Sequence, residues 1–468
     1  MKGMTLRAMT QAVNGIYHGN GEDYDKEITA ITIDSRKVAE GGLFIAIKGE
    51  RSDGHDFIGQ CFEKGAACVI SEKELPDEER SYIQVESSLQ ALKDLALLYR
   101  NNLDVKVVGI TGSVGKTSTK ETISSVLSEK YRVLKTLGNF NNEIGLPLTV
   151  FRLTEDDEVA VLEMGISDFG EMDRLSKIAQ PDICVITNIG FCHLENLGTR
   201  DGILKAKTEI FNHMNPDGIV IVNGDDDKLS TISQVHGKRP LVFGISNKDG
   251  VYADNIKSLG LDGTSFTIHG IKTSDNYSTF DLTVPVPGHH MVYNAMAAAL
   301  VGSVLGLSSI EIERGVKNLK TIAGRNNIIK ENGFTIIDDC YNANPVSMKA
   351  SLDVLDTAIG RKVAILGSMF ELGENEKQMH YDVGMYLGTK DIDVLITAGD
   401  LAAQIAAGRA YIDTNYNAHG CEVHDFETRD DMLKCIGHIL KTGDNILIKA
   451  SHGMEFTKVV EALKTINL

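Results

Sequence analysis

The chain has 468 residues, 42% hydrophobic and 24% charged, so it carries apolar material for about three ordinary domains and is neither disordered nor fibrous. Its 47 Lys and Arg against 65 Asp and Glu leave a net charge of −18, which argues against nucleic acid or an anionic membrane as partner, because no cation excess is available to displace their counterions. Small phosphorylated ligands stay open, since local basic groups can hold them.

At the amino terminus, Lys2, Thr5, Arg7 and Thr10 interrupt any apolar run, so no signal peptide is expected. Short strands are predicted at Ile28–Ile33, Leu43–Ile47, Cys68–Ile70 and Tyr82–Val85, followed by a helix through Leu89–Tyr99. From residue 104 onward, strand-like runs at 105–111, 159–164, 183–188 and 219–223 alternate with helical patterns at 117–130, 171–179 and 201–214. That rhythm implies a parallel sheet with right-handed crossovers, on which ligands gather at the carboxyl ends of the strands. The run Glu155–Glu158 reads as a solvated loop.

Between 240 and 285 the pattern shortens into alternating segments at Val251–Ile256, Ser265–Ile268 and Thr279–Val284, which predict antiparallel strands closed by the turn Pro285–Gly288. Helices follow at 289–306 and 308–320. The longest apolar stretch, Ala295–Leu307, contains Gly302, Ser303 and Gly306 and is too short to span a bilayer, so it reads as a buried helix and no membrane insertion is expected. A second doubly wound block starts near Gly324, with strands at 334–338, 362–367, 393–396 and 445–449 and helices at 346–357, 377–388 and 429–441. The expected division is 1–103, 104–323 and 324–468. Seven scattered cysteines (61, 68, 184, 192, 340, 421 and 435) without a Cys-x-x-Cys pair suggest reduced thiols in the cytoplasm.

Chemistry concentrates at strand ends. Residues 109–118, Gly-Ile-Thr-Gly-Ser-Val-Gly-Lys-Thr-Ser, join a strand to a helix through a glycine-rich turn. Such a turn cradles phosphates with backbone N–H groups, Lys116 adds a mobile positive charge, and the Thr117 hydroxyl suits a nucleotide's Mg²⁺. Ile110 stands where the common Gly-x₄-Gly-Lys-[Ser/Thr] pattern has glycine. Glu163 ends the next predicted strand, where it suits Mg²⁺ equally with an N-cap or a surface acid. His193 lies past a third strand end. Lys205 and Lys207 read as solvated helix lysines, and His289 and His290 as capping or packing residues. The turn Asp338–Pro345 offers N-caps and hydrogen bonds for a ribose or base, and Lys449–His452 ends the last strand.

Together these segments resemble the Mur ligase family of ATP-dependent amide-forming enzymes. The loop Gly109-x-Thr111-Gly112-x-x-Gly115-Lys116-Thr117 is similar to that family's own variant, which accounts for Ile110. Further blocks carry the resemblance: Asp34-Ser-Arg36 with Asp53-Gly-His-Asp-Phe-Ile58, Gly138–Pro147, Asp338–Pro345, and Leu366-Gly with Glu371-Leu-Gly373. The resemblance implies an α/β fold of three domains: a small α/β substrate domain, a central ATP-binding parallel-sheet domain with an antiparallel addition, and a Rossmann-like carboxyl-terminal domain. It implies ATP and Mg²⁺ as cofactors, with UDP-N-acetylmuramoyl-tripeptide and D-alanyl-D-alanine as partners. The terminal carboxylate is activated as an acyl phosphate and then attacked by the dipeptide amine.

By that resemblance Thr111, Gly112, Gly115, Lys116, Thr117 and Ser118 cradle the phosphates. Thr117, Glu163, His193 and Lys207 hold magnesium, Lys207 as a carbamate. Lys116, His193 and Lys207 form the catalytic set. Asn294, Arg325, Asp339, Asn342 and Asn344 surround the nucleotide. Ser35, Arg36, Asp53 and His55 meet the UDP end, Asn139 and Asn142 the peptide, and Lys449 and Ser451 the incoming amine. Met291, Ser368 and His452 depart from the family pattern around the adenine and the second substrate. A diaminopimelate-adding relative would carry Asp-Asn-Pro-Arg, which is absent, and a folylpolyglutamate synthetase would begin close to its phosphate loop. A non-catalytic ATP switch would have no use for Glu163, His193 and Lys207 together. A monomer is expected.

Overall fold

Branched apolar runs and amphipathic helices resolve into three sheets in a computed structural model that describes residues 1–75, 80–416 and 420–466. In the first sheet Ile31–Thr32, Leu43–Ile45, Cys68–Ser71 and Tyr82–Gln84 run parallel, and Ile16–His18 joins the edge antiparallel. The second sheet has nine strands, ordered Thr279–Val284, Thr264–His269, Val251–Ser258, Leu241–Gly244, Ile219–Asn223, Ile183–Ile186, Lys106–Thr111, Val159–Glu163 and Val133–Lys135. The first two are antiparallel, so the alternating segments extend the same sheet. The remaining strands are parallel. The third sheet sets Phe334–Asp338, Asn445–Lys449, Lys362–Gly367, Val394–Ala398 and Glu422–Phe426 in parallel, with Asn327–Glu331 antiparallel at its edge.

Register decides what meets at the strand ends. Lys106–Thr111 is an interior strand, third from one edge of its sheet, with Ile110 opposite Glu163 and Thr111 opposite Ile186. The phosphate loop, Glu163 and the Thr187-Asn188 turn therefore emerge side by side. In the third sheet Asp338 faces Ile448 and Leu366 faces Lys449, so the Asp339 and Lys449 ends likewise coincide.

Helix Lys116–Leu127 packs against helix His290–Val304, whose residues Asn294 through Gly302 are all buried. A helix apolar on every side belongs inside, as expected for the stretch Ala295–Leu307. Among the described residues no helix is long and apolar enough to cross a membrane. All seven cysteines are free thiols.

Several elements differ from the expected ones. The run 201–214 is helix Arg200–Thr208 followed by a 3₁₀ turn, Glu209–Phe211, and the run 429–441 is helical only over Arg429–Cys435 before a 3₁₀ turn. Strands such as Val133–Lys135 and Leu241–Gly244 are too short to show a period. Helix Ala403–Tyr416 has Gly408 inside it, which reads as a breaker but lets the helix close on Glu376–Leu387, where a Cβ would strike the Tyr381 carbonyl.

The first and second sheets share one continuous core, bridged by Leu92, Leu95 and Ala96 of helix Ser88–Asn101. Buried Arg100 on that helix donates to the Leu103, Val105 and Ala179 carbonyls at 3.1, 3.1 and 3.3 Å, and the Tyr99 hydroxyl donates to the Leu153 carbonyl at 2.6 Å. The third sheet has cores of its own on both faces. Arg100→Ala leaves three buried carbonyls without their donor and is expected to cost about 2–3 kcal/mol. Urea denaturation measures this, and an unshifted midpoint would contradict the bridging role of Arg100.

Candidate active site

The chain leaves strand Lys106–Thr111 and turns into helix Lys116–Leu127 through two glycines of positive φ, Gly112 at 150° and Gly115 at 84°. A Cβ on Gly112 would run into the Thr187 hydroxyl. The neighbouring strand end braces the loop. Val114 N–H donates to the Asn188 side-chain oxygen at 2.9 Å, and its carbonyl accepts from the Asn188 amide at 2.9 Å and the Thr187 hydroxyl at 2.7 Å. The Lys116 ammonium reaches back to the Gly112 carbonyl at 2.8 Å, over the free N–H groups of the helix start.

Glu163 is 2% exposed, and its two oxygens stand in different circumstances. Oε1 accepts from the Thr117 hydroxyl at 3.1 Å and from the Asn141 amide at 2.8 Å. Oε2 is buried without a hydrogen-bond partner; the Lys120 ammonium stands 3.7 Å away and pairs with Glu121 at 3.1 Å. A buried carboxylate oxygen left unpaired is costly unless a cation completes it. Among the described residues no three His, Cys, Asp or Glu side chains converge as a metal cage. Mg²⁺ needs no such cage, because phosphate and water supply most of its oxygens, so Thr117 and Glu163 fit it.

Lys205 and Lys207 separate by helical period. Lys205 is exposed, its ammonium 5.8 Å from the Phe169 ring, whereas Lys207 is 1% exposed. The reading of Lys207 as a solvated lysine is therefore corrected. Burial, and then the Lys116 charge, push the Lys207 pKa down to about 7, so much of it is a neutral amine at neutral pH. His193, at a left-handed φ of 52°, has its pKa lowered by burial first and then by Lys116 and Lys207. These three groups share one electrostatic neighbourhood.

A cavity of about 490 Å³ opens between the phosphate loop and the third sheet, and of the three groups just described only Lys116 lines it; His193 and Lys207 lie outside the lining. Gly115, Lys116, Thr117, Ser118, Asn139, Glu163 and Asn294 line one side, and Arg325, Asp339, Asn342, Asn344 and Lys449 the other. The Asn294 side-chain oxygen accepts from the Thr119 hydroxyl at 2.9 Å and its amide approaches the Met291 sulfur at 3.3 Å, so Met291 helps to orient it. Asp339 accepts from Asn326 N–H at 3.0 Å, from the Ser351 hydroxyl at 2.6 Å and from the Lys449 ammonium. Asn344 caps helix Pro345–Asp356 in a reciprocal pair with Ser347, and the Arg325 guanidinium lies 4.1 Å over the Tyr341 ring. His290 lines the cavity rather than only packing its helix.

Other expected site residues stand outside this lining. Thr111 is buried, Ser451 is buried with its hydroxyl accepting from Phe370 N–H at 2.9 Å, and Asn142 accepts from Gly145 N–H at 2.9 Å. On the first sheet's side, Arg36 forms a fork with Asp34 at 2.9 Å for both bonds. His55 has both ring nitrogens engaged: Nε2 accepts from Glu72 N–H at 3.0 Å, and Nδ1 lies 2.6 Å from Asp53. Ser35 opens the 3₁₀ turn that Asp34 caps. Asn141, Asn188 and the pair Tyr293–Asp225, joined at 2.8 Å, all line the cavity and were not among the expected residues. Asn141 and Asn188 lay inside segments already singled out, but nothing local marks which asparagine of a group turns inward.

Three family profiles match in succession: the Mur ligase family catalytic domain over residues 27–100, the Mur ligase middle domain over 110–302, and the Mur ligase glutamate ligase domain over 324–452. The UDP-N-acetylmuramoyl-tripeptide–D-alanyl-D-alanine ligase of Bacillus subtilis (strain 168) is 39% identical over 465 residues, covering 98% of each chain. MurF from Acinetobacter baumannii superposes with a TM-score of 0.88 at 32% identity, over 98% of this chain and 99% of that one. MurF ligase from Thermotoga maritima, solved in complex with ADP, gives 0.81 at 31% identity, over 93% and 97%.

Gly112→Ala forces both a strained φ and a clash with Thr187, and is expected to weaken ADP binding by about tenfold or more. Calorimetric titration with ADP measures it; wild-type affinity would remove Gly112 from the cradle.

Proposed function

The chain belongs to the Mur ligase family, and from that premise we propose that it joins D-alanyl-D-alanine to UDP-N-acetylmuramoyl-tripeptide, using ATP. The observation that carries this reading is Glu163: a buried carboxylate with one oxygen free of hydrogen bonds, beside a phosphate loop and across a cavity from a second polar wall. Such a site suits transfer of a phosphoryl group to an acceptor held opposite.

A carboxylate resists attack by an amine until one oxygen becomes a good leaving group. Transfer of the ATP γ-phosphoryl to the tripeptide carboxylate makes it an acyl phosphate and releases ADP. The dipeptide amine then attacks the acyl carbon, phosphate departs with the C–O electrons, and the amine loses a proton. Lys116 and the helix start at Gly115 neutralise the transferring oxygens by position alone. Thr117, Glu163 and His193 would hold Mg²⁺, which when bound supplies further charge neutralisation on the phosphates. Lys207, buried and with its pKa pushed down to about 7, has a neutral amine available to take up CO₂, and the resulting carbamate would offer oxygen ligands where an ammonium cannot.

In the same reading Asn294, Arg325, Asp339, Asn342 and Asn344 meet the nucleotide, and Ser35, Arg36, Asp53 and His55 the UDP end. Asn139 and Asn142 face the peptide, and Lys449 and Ser451 the amine side. The division at 103 and 323, a monomeric state and a cytoplasmic site belong to this proposal as well.

Phosphate release is expected only when the UDP-linked tripeptide and D-alanyl-D-alanine are both present; release with a folate and glutamate instead would overturn the reading. Lys116→Ala removes the cation nearest the transferring group, and kcat is expected to fall on the order of a hundredfold or more. A near-normal steady-state kcat would contradict its role. Lys207→Ala is expected to be inactive and partly restored by a short-chain carboxylic acid, as followed by phosphate release. Full activity without the acid would take Lys207 out of the site.

A further inference from the structure

The segment 368–373, which ends in the block Glu371-Leu-Gly373, has no role in the reading above. Its backbone is anchored at two points. Met369 N–H donates to the buried His380 ring at 2.8 Å, and Phe370 N–H donates to the Ser451 hydroxyl at 2.9 Å. Between these anchors and Gly373, which has φ 71°, Glu371 adopts φ 62°. A glutamate gains nothing from left-handed backbone, so its fixed neighbours hold it there, and such strain gathers where a side chain must be aimed.

The aim is across the junction. Glu371 Oε2 lies 3.3 Å from Nδ1 of His193, itself left-handed, while 68% of the Glu371 side chain stays open to solvent. Among the described residues no lysine or arginine pairs with this carboxylate and no backbone amide caps it. Charges of both signs face His193: Lys116, Lys207 and Glu171 from the second sheet's side, and Glu371 from the third sheet's side. Neighbouring acids are already engaged. Glu171 accepts from Ser167 N–H at 2.7 Å, and Asp339 is paired with Lys449.

We infer that Glu371 receives the ammonium group of the incoming D-alanyl-D-alanine, an inference that rests on the ligase reading. The two reactants make opposite demands. The activated acid is an anion beside Lys116, whereas the dipeptide arrives as a cation and needs a carboxylate within reach of the same centre. Lys449, a cation held by Asp339, cannot serve. Glu371 is thus a substrate-positioning residue, set on the unit opposite the phosphate loop so that the nucleophile approaches from the far side.

Hydroxylamine separates this role from the chemistry before it. As a small amine that is neutral at pH 7, it intercepts the acyl phosphate as a hydroxamate without needing an ammonium anchor. With the full-length E371Q variant, ATP, Mg²⁺ and the UDP-linked tripeptide, hydroxamate formation is expected within about twofold of wild type. Its kcat/KM for D-alanyl-D-alanine is expected to fall by about thirtyfold or more, chiefly through KM. Retained hydroxamate formation also reports that the variant is folded. Unchanged dipeptide kinetics would overturn the assignment. Equal losses of both activities would overturn it too, by placing Glu371 in phosphoryl transfer. No hydroxamate from the wild-type protein would instead overturn the ligase reading, and this inference with it.

Discussion

A single carboxylate oxygen, Oε2 of Glu163, is the constraint on which the rest of the site depends. It is buried at the carboxyl end of an interior strand, where water cannot satisfy it, and its twin oxygen is already held by Thr117 and Asn141. The Lys120 ammonium stands 3.7 Å away, close enough to support the negative charge and too far for a hydrogen bond. The oxygen is therefore left for a cation, and Thr117, in the first turn of the helix that follows the phosphate loop, is held against its twin. The register that puts Ile110 opposite Glu163 makes this possible, because it brings the loop and the acid out of the sheet at one level.

Apolar cohesion is distributed unevenly around that point. The first and second sheets share a core, and buried Arg100 ties the end of the bridging helix to the segment that follows it and to Ala179 of the second sheet's unit. The third sheet keeps to its own cores, and between it and the second lies a cavity lined mainly by polar side chains. Packing thus holds the two walls apart while hydrogen bonds dress each of them. Left-handed residues also meet between the two units, outside the cavity lining: His193 from the second sheet's side and Glu371 from the third's, in contact at 3.3 Å.

Legibility followed the range of the interactions involved. The phosphate cradle could be read in full, because strand, glycine turn, lysine and hydroxyl are consecutive and their chemistry is local. The buried helix around Ala295 could be read too, since composition alone excludes it from water. Lys207 could not, although the helical period separates it from Lys205: which face of a helix is buried depends on what packs against it. The asparagines of Gly138–Asn142 show the same limit. Asn139 lines the cavity, Asn141 holds Glu163 and Asn142 accepts backbone amides at the start of the next helix, yet the three are chemically identical in the chain. Helix Ala403–Tyr416 was hidden by a glycine whose purpose is a close helix contact.

By itself the sequence determined the element types, the alternation that makes the sheets parallel, and the identity of the groups able to handle phosphate. These depend on side-chain chemistry and on hydrogen bonds between residues close along the chain. Tertiary structure alone decided which strand ends are neighbours, which lysine loses its water, which carboxylate oxygen is left without a hydrogen bond, and that Glu371 reaches His193 from the third sheet's side. Each of these is a matter of desolvation or of distance between residues far apart in sequence, and neither quantity exists until the sheets have packed.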